Sequence, residues 1–306
     1  MNRKSFLKTS AFTLGALALA NQRLLAELLQ QPAWKITMLT DEIGIFTERG
    51  GTIAFYIYKD GIVVVDAQWP EQSQHLITEL KAKSTQPFQL LINTHHHLDH
   101  TSGNISFKGI VKEIVAHENS KLNQMRNAKL MKQENTQLYP TTTFKENWCG
   151  KYGKENICLY YYGPAHTNGD SVVHFEHADI VHMGDLMFNR KHAFADRTSG
   201  ASIKNWVQVL SKVYKDFGRR TKFIFSHAGE GYSVVGTRDD LKSFSNYLSQ
   251  TLLFVQAEIR RGKGLKDILK HNSIPGTPEW KGDGASRILQ SAYEELTAIE
   301  PEPKLL

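Results

Sequence analysis

The sequence lacks the features of a nucleic-acid-binding protein. Its 306 residues contain no long run of lysine and arginine that would follow a phosphate backbone, and the formal net charge is only +6. Internal repeats and low-complexity segments are also absent. Hydrophobic residues make up 41% of the chain, which is enough to form a large packed core. We therefore expect a folded protein with no nucleic-acid partner.

Cysteine is scarce, because the chain has only Cys149 and Cys158. No histidine lies near either residue in the sequence, so neither thiol has the neighbouring base that a catalytic nucleophile needs. An oxidising compartment would allow the two to close a short disulfide loop, whereas unpaired buried thiols would be equally compatible with the sequence. Both alternatives stay open at this point.

The first twenty residues differ in composition from a folded domain. "MNRKSFLKTSAFTLGALALA" combines a basic start, an apolar stretch from Ala11 to Leu19 and a small residue at Ala20, which is typical of a secretory signal cleaved after Ala20. The apolar stretch is too short to span a bilayer, so we expect no stable membrane insertion. "NRKSFLK" resembles the twin-arginine export signal, with Arg3-Lys4 in place of the arginine pair.

This pattern predicts a periplasmic or secreted protein with three segments. Residues 1–20 form a signal peptide that resembles the twin-arginine type, residues 21–35 form a linker, and residues 36–306 form the functional domain with helices at its C-terminal end. Nothing in the sequence indicates an oligomeric state.

Strand signals dominate the first part of this domain. Alternation and β-branched residues between residues 34 and 70 predict several strands, and the continuous apolar run "GIVVVD" predicts a strand buried on both faces. A helix is predicted from Pro70 to about Lys83, followed by the strand "FQLLIN". Later segments again alternate strands with amphipathic helices, whereas residues 132–156 look rich in loops. This order predicts an α/β fold with two facing sheets and helices outside.

A histidine-rich segment, "THHHLDH", follows the strand "FQLLIN" directly. In extended chain, alternate side chains point to the same side, so His95 and His97 can converge on one ion. Asp99 and His100, past a bend, can point to a second ion. Zn²⁺ prefers imidazole nitrogen and carboxylate oxygen as ligands, so the segment predicts a metal site.

Three further candidate ligands each follow a strand-like segment. They are His166 in "GPAHTNGD", Asp185 in "HMGDLMF" and His227 in "FSHAGEG". The other histidines are interpreted differently: His96 is expected to face away from the pair, His182 to be a satisfied interior residue, and the rest to be polar loop residues, namely His75, His117, His174, His177, His192 and His271.

"THHHLDH", "HTNGD", "MGD" and "SHAG", in this order, resemble the metallo-β-lactamase-fold hydrolase superfamily over about residues 36–260. The resemblance implies a four-layer αβ/βα sandwich with the site in a cleft at one edge. It implies two Zn²⁺ per chain, with the ligands His95, His97 and His166 for one ion and Asp99, His100 and His227 for the other. Asp185 would bridge both ions.

Aspartate at position 185 resembles the glyoxalase II-like and lactonase-like branch, because the principal zinc β-lactamases usually have cysteine or serine there. The expected function is a zinc hydrolase in which a metal-bridging hydroxide attacks the carbonyl of an ester, lactone, thioester or amide. Asp99 is the expected catalytic residue, orienting the hydroxide or accepting its proton. Two alternatives are kept: a β-lactamase acting on β-lactams, and a mononuclear iron oxidoreductase of the persulfide dioxygenase type.

Several loop residues are weaker candidates. Asp66, which ends "IVVVD", is interpreted either as a carboxylate that supports the ligands or as a plain strand-end cap. Candidates for contact with a small-molecule substrate lie on loops near the expected ligands: Trp69, Asn168, Phe188, Arg190 and His192.

Overall fold

Within residues 33–299, the part of the chain that the computed structural model describes, two β-sheets lie between layers of helices. Contacts separate the chain after Lys35, and all elements below belong to the unit that begins at Ile36, apart from the first residue of β1. The predicted signal peptide, residues 1–20, lies outside the described residues, as does nearly all of the predicted linker, so both stay predictions.

The elements follow one another as strands, then alternating helices and strands, twice over. The strands are β1 Lys35–Met38, β2 Ile43–Thr47, β3 Ile53–Tyr58, β4 Gly61–Val65, β5 Phe88–Asn93, β6 Val111–His117, β7 Thr142–Phe144, β8 Asn147–Tyr152, β9 Glu155–Tyr160, β10 Val172–Phe175, β11 Ile180–His182, β12 Phe188–Asn189, β13 Lys222–Ile224, β14 His227–Ala228 and β15 Val235–Gly236. The α-helices are α1 Pro70–Lys83, α2 Leu98–Thr101, α3 Glu118–Met131, α4 Ile203–Asp216, α5 Arg238–Arg260, α6 Leu265–Ile268 and α7 Ala285–Thr297.

The first sheet has the order β1-β2-β3-β4-β5-β6-β7. Its strands β2, β3 and β4 are antiparallel, and β4 to β7 are parallel. The parallel half requires crossover connections, which α1 and α3 supply. The carboxyl ends of β4 and β5 therefore open at the same edge of the sheet.

The second sheet has the order β15-β13-β11-β10-β9-β8. Strands β8 to β11 pair antiparallel, and β13 joins β11 in parallel. A separate pair of two-residue strands, β12 and β14, aligns Phe188 with His227.

One apolar cluster lies between the two sheets, where Val63 and Val65 of β4 pack with Val173 and Phe175 of β10. The alternate residues of β4, Ile62 and Val64, are equally buried but lie on the other face, beneath α1 and α3. "GIVVVD" is thus buried on both faces, as predicted.

A second cluster lies outside the second sheet, where Val181 and Phe223 pack against Trp206 of α4 and Phe244 of α5. The layers therefore run helix, sheet, sheet, helix, which confirms the predicted four-layer αβ/βα sandwich.

The prediction for residues 132–156 is wrong, because this segment contains β7, β8 and the start of β9. In β8 every second residue is exposed, and the strand lies at the edge of its sheet. Its sequence, "NWCGKY", therefore carries too few apolar residues to mark a strand.

Cys149 of β8 lies directly opposite Cys158 of β9, and the two form a disulfide. This settles the alternative that the sequence left open. Among residues 33–299, no helix combines the length and the apolar character that crossing a membrane requires.

Candidate metal centre

All the side chains that the sequence singled out as ligands lie on loops at one edge of the two sheets. The histidine-rich segment follows β5 of the first sheet, and Asp66 follows β4. In the second sheet, His166 follows β9, Asp185 lies in a single 3-10 turn after β11, and His227 follows β13. Parallel strands end together at one edge of a sheet, which explains why residues far apart in sequence meet here.

The first donor group consists of His95, His97, His166 and one oxygen of Asp185, with all four ligand atoms within 4.8 Å of one another. His97 Nδ1 lies 3.1 Å from His95 Nε2 and 2.9 Å from His166 Nε2. Asp185 Oδ2 lies 3.4 Å from His166 Nε2. Tetrahedral ligands at zinc bond lengths of about 2.0–2.1 Å are about 3.3 Å apart, so the spacing suits one ion with little adjustment.

The second donor group consists of Asp99, His100 and His227. Asp99 Oδ2 lies 3.3 Å from His227 Nε2. The other oxygen of Asp185, Oδ1, lies 3.1 Å from His100 Nε2 and 3.4 Å from His227 Nε2. One carboxylate thus presents a different oxygen to each group.

Two buried atoms at the centre lack a hydrogen bond of acceptable geometry: His100 Nε2 and Asp185 Oδ1. Buried polar atoms normally have a partner, so this pair fits an arrangement made for coordination. Although burial acts against it, the carboxylates of Asp185, Asp99 and Asp66 hold the pKa of His100 well above its ordinary value. The carboxylates therefore call for positive charge at this point, which a divalent cation supplies.

The first donor group favours neutral imidazoles. Burial, with further lowering by neighbouring histidines, puts the pKa of His95 well below its ordinary value and that of His166 at about 3. A neutral imidazole is the form that binds a metal.

Each of four ligand histidines uses its other ring nitrogen for a fixed contact. His95 Nδ1 lies 3.1 Å from Thr94 Oγ1, and His166 Nδ1 lies 2.6 Å from the Phe194 carbonyl oxygen. Such contacts hold the tautomer in which the opposite nitrogen is free for an ion.

His97 and His100 use carboxylates in the same way. His97 Nε2 lies 3.2 Å from Asp196 Oδ2, and His100 Nδ1 lies 2.8 Å from Asp66 Oδ2. Asp66 is fully buried and also accepts the Thr94 N–H at 2.8 Å. Both interpretations of Asp66 therefore hold, as a support for the ligands and as a cap at the strand end.

Close approach at the centre also depends on a glycine. A Cβ atom at Gly51 would overlap the His100 ring, and the Gly51 N–H donates to the Asp99 carbonyl at 3.2 Å. Glycine is therefore needed where this loop crosses the second donor group.

Asp196 is the residue that sequence reasoning missed. It lies in "ADRTSG", which has no strand before it and no cluster around it, so no local signal marks it. It also lies 3.4 Å from His96 Nε2, whose other neighbour is Ser199 Oγ at 3.1 Å. His96 thus faces away from the pair, as predicted.

His182 is the interior residue that the sequence predicts. It is fully buried, its Nε2 lies 2.9 Å from the Thr52 carbonyl oxygen, and its Nδ1 accepts the Gly184 N–H.

A cavity of about 780 Å³ opens over both donor groups. Its walls include Asp99, Asp185 and His227, together with the aromatic rings of Phe188 and Phe194. The apolar walls and the few polar groups have the character of a small-molecule site.

Three of the five candidate substrate contacts line this cavity: Trp69, Phe188 and His192. The other two are engaged elsewhere. Arg190 pairs with Asp240 at 2.7 Å, and the Asn168 side chain accepts from Asn123 at 2.8 Å. Proximity in sequence to a ligand was a poor guide for these two, because their side chains turn into neighbouring elements.

Comparison with known proteins gives relatives of one kind. A family profile described as "Metallo-beta-lactamase superfamily" matches residues 47–218, more than half of the chain. The chain is 23% identical over 197 residues to the metallo-beta-lactamase type 2 of Elizabethkingia meningoseptica, covering 61% of this chain and 76% of that protein.

A second relative is matched over a shorter stretch. The chain is 28% identical over 135 residues to the 2,4-dinitroanisole O-demethylase subunit alpha of Nocardioides sp. (strain JS1661), which covers 42% of this chain and 38% of that protein, less than half of its length. A solved metallo-beta-lactamase from Pontibacter korlensis aligns with a TM-score of 0.58 at 20% identity, covering 71% of this chain and 99% of that one. At this identity the likeness shows the fold alone.

Proposed function

The chain belongs to the metallo-beta-lactamase superfamily, and from that premise we propose that it is a zinc hydrolase with two Zn²⁺ per chain. The first ion would be held by His95, His97 and His166, and the second by Asp99, His100 and His227, with Asp185 between them. Imidazole nitrogen and carboxylate oxygen are the donors that zinc prefers. The substrate would be a small ester, lactone, thioester or amide.

The observation that carries this proposal is the placement of Asp185. It is 5% exposed, and its two oxygens face different donor groups at 3.1–3.4 Å. A carboxylate that served a single ion would not need ring nitrogens beside both oxygens. The arrangement therefore favours a dinuclear centre over a mononuclear one.

Zinc bound there would lower the pKa of bound water towards neutrality and polarise the substrate carbonyl. The chain's own residues would supply the rest. Asp99 keeps 28% of its side chain exposed, borders the cavity and can orient that water or take its proton. Phe188 stacks on His227 at 5.4 Å between ring centroids and restrains that ligand.

A β-lactam substrate is the second candidate, because a relative that covers most of its own length is named a metallo-beta-lactamase. An iron oxidoreductase of the persulfide dioxygenase type has less support, since a mononuclear site would leave the second donor group without a role.

We also infer an exported protein, periplasmic or secreted. The disulfide between Cys149 and Cys158 supports this inference, because such bonds persist in oxidising compartments. N-terminal sequencing of the mature protein from its host should begin at Asn21, and a chain that still starts at Met1 in the cytoplasm would contradict export.

The test of the proposed function combines metal analysis with a substrate panel. Purified protein should contain about two zinc ions per chain, and His227→Ala about one, since it removes a ligand of the second ion only. Chromogenic esters, lactones, thioesters and a cephalosporin would be assayed before chelation, after it and after zinc is restored. Activity should follow the zinc content.

His177→Ala is the matched control, because this exposed histidine belongs to neither donor group. It should keep both the zinc content and the activity. Protein that binds no zinc and hydrolyses the panel equally well in chelator would refute the proposal, and iron with oxygen consumption would favour the oxidoreductase.

A further inference from the structure

The wall of the cavity contains a histidine with one unsatisfied ring nitrogen. His192 is 3% exposed and lines the cavity. Its Nδ1 lies 3.0 Å from the Tyr247 hydroxyl, whereas its Nε2 is buried without a hydrogen-bond partner. A buried polar atom without a partner inside the protein is a candidate for contact with a ligand.

The tautomer of His192 follows from its partner. The Tyr247 hydroxyl accepts the Ala193 N–H at 3.4 Å, so its own proton is available for His192 Nδ1. Burial lowers the pKa of His192, which keeps the ring neutral. A neutral imidazole that accepts at Nδ1 carries its proton on Nε2. The unpartnered atom is therefore an N–H donor.

Arg287 lies beside this donor, in the first turn of α7. Gly284, the residue before α7, has a φ of +110°, and a Cβ there would lie 3.4 Å from His192 Cβ and 3.5 Å from Arg287 Nη2. A side chain at this position would be strained and would fill the gap between the two. Glycine leaves the gap open.

The N-terminus of α7 adds further positive character at the same place. Its first backbone N–H groups receive no side-chain cap. Uncapped N–H groups and the helix dipole favour a negative charge there. The guanidinium of Arg287 lies 5.9 Å from the ring of Phe194, which is part of the cavity wall.

The charges around the cavity point the same way. Arg49 and Lys191 also line it, and within residues 33–299 neither they nor Arg287 lie within ion-pair distance of a carboxylate. Glu48, the remaining acidic residue of the wall outside the donor groups, is held by His75 at 3.0 Å. The cavity therefore attracts anions.

We propose that His192 Nε2–H, the Arg287 guanidinium and the N-terminus of α7 form a carboxylate-binding subsite in the cavity. The substrate is then a carbonyl compound that carries a carboxylate away from the bond that is cleaved, with its apolar part against the aromatic walls. An arginine fork and a second N–H donor match the two oxygens of a carboxylate. The reaction rests on the proposed function, whereas the subsite rests on these residues alone.

Binding tests the subsite without the reaction. Benzoate and its neutral analogue benzamide would be titrated calorimetrically into zinc-loaded and chelator-treated protein. Benzoate should bind on the order of tenfold more tightly than benzamide, and Arg287→Met should remove that preference in both forms of the protein. Persistence in the chelated protein excludes simple coordination of benzoate to zinc.

Three variants control this measurement. Arg219→Met removes an exposed arginine that does not line the cavity, and it should leave benzoate binding unchanged. His192→Phe removes the N–H donor and should weaken benzoate, whereas His192→Gln restores a donor and should recover part of the affinity. Equal binding of benzoate and benzamide to the wild type, or equal loss of both in Arg287→Met, would overturn the subsite.

Kinetics on a matched pair of esters separates the subsite from the hydrolase. One ester carries a terminal carboxylate and the other a primary amide at the same position. Arg287→Met should raise KM for the carboxylate ester about tenfold and leave kcat, and both constants of the amide ester, unchanged. Hydrolysis of both esters without discrimination would refute the subsite alone. Absence of hydrolysis, with benzoate binding that still depends on Arg287, would refute the hydrolase alone.

Discussion

The carboxylate of Asp66 contacts one ligand side chain of each donor group. Its Oδ2 accepts from His100 directly at 2.8 Å and from the Thr94 hydroxyl at 2.7 Å, and Thr94 in turn contacts His95 at 3.1 Å. The residue has a φ of 66°, which few side chains other than asparagine and aspartate adopt easily. Asp66 thus sets the orientation of one ligand of each ion without touching the cavity.

This arrangement makes Asp66→Asn informative at the scale of a single residue. Asparagine tolerates the same backbone conformation, but its amide nitrogen facing His100 Nδ1 would favour the tautomer with the proton on Nε2, the atom that should bind the ion. We expect zinc affinity of the second site to fall about 10- to 100-fold, in the range seen when such supporting contacts are lost. Competition with a chromogenic chelator measures it.

Asp60→Asn is the matched control, because Asp60 is an exposed carboxylate in the turn before β4. It should leave both zinc affinities unchanged, and the circular dichroism of both variants should match the wild type. If Asp66→Asn also bound zinc like the wild type, Asp66 would be only a strand-end cap.

Residues could be singled out from the sequence where chemistry and position are both local. Four metal-type side chains fall within His95 to His100, and each further candidate follows a strand end, so their convergence could be predicted. Asp196 could not, because it meets His97 across 99 residues through the folding of an irregular loop. Its role depends on tertiary structure alone.

At the scale of elements, helices with clear periodicity and boundaries were predictable. α1 runs from Pro70 to Lys83, as the proline at its first position and the apolar spacing predict. β8 was not predictable, because an edge strand with one exposed face depends on its partner β9 for its structure.

The junction between β6 and α3 depends on one buried histidine. His117 accepts the Asn119 N–H at Nδ1, capping α3, and its Nε2 lies 2.8 Å from the Lys145 carbonyl oxygen. Its ring also stacks on Tyr161 at 4.1 Å. Burial lowers the pKa of His117, so the folded protein favours the neutral ring. Protonation would place an N–H against the N–H that the ring now accepts.

The sign of the resulting pH dependence follows directly. The unfolded chain takes up a proton near the ordinary histidine pKa of about 6.5, before the folded protein does. The stabilising contribution of His117 is therefore fully present above that pH and is lost as the pH falls through the lower, folded pKa. His117→Asn keeps a capping acceptor but cannot titrate, so its free energy of unfolding should fall less between pH 7 and pH 5 than that of the wild type.

Urea unfolding of both proteins at each pH, in chelator, isolates this contribution because the remaining histidines are common to both. Parallel curves would mean that His117 titrates alike in the folded and unfolded states, and the cap would then not depend on its protonation.

At the scale of the whole molecule, the candidate centre joins the two sheets. His95, His97, Asp99 and His100 follow a strand of the first sheet, whereas the remaining ligands follow strands of the second: His166, Asp185 and His227. Each donor group takes side chains from both sheets. An ion in either group would therefore hold together two layers that otherwise meet through the apolar cluster between them.

Since the ligands come together only in the folded chain, zinc should bind the folded state far more tightly than the unfolded one. Free zinc at 100 times the dissociation constant of one site would add about 2.7 kcal/mol to the free energy of unfolding, and Tm should rise with zinc concentration. Scanning calorimetry in zinc and in chelator, under non-reducing conditions that keep the disulfide, measures the difference. His95→Ala should lose part of the zinc-dependent rise and His177→Ala none of it. A Tm that is the same in zinc and in chelator would mean that the loops stay in place without an ion, and the two sheets would then be held by their apolar contacts alone.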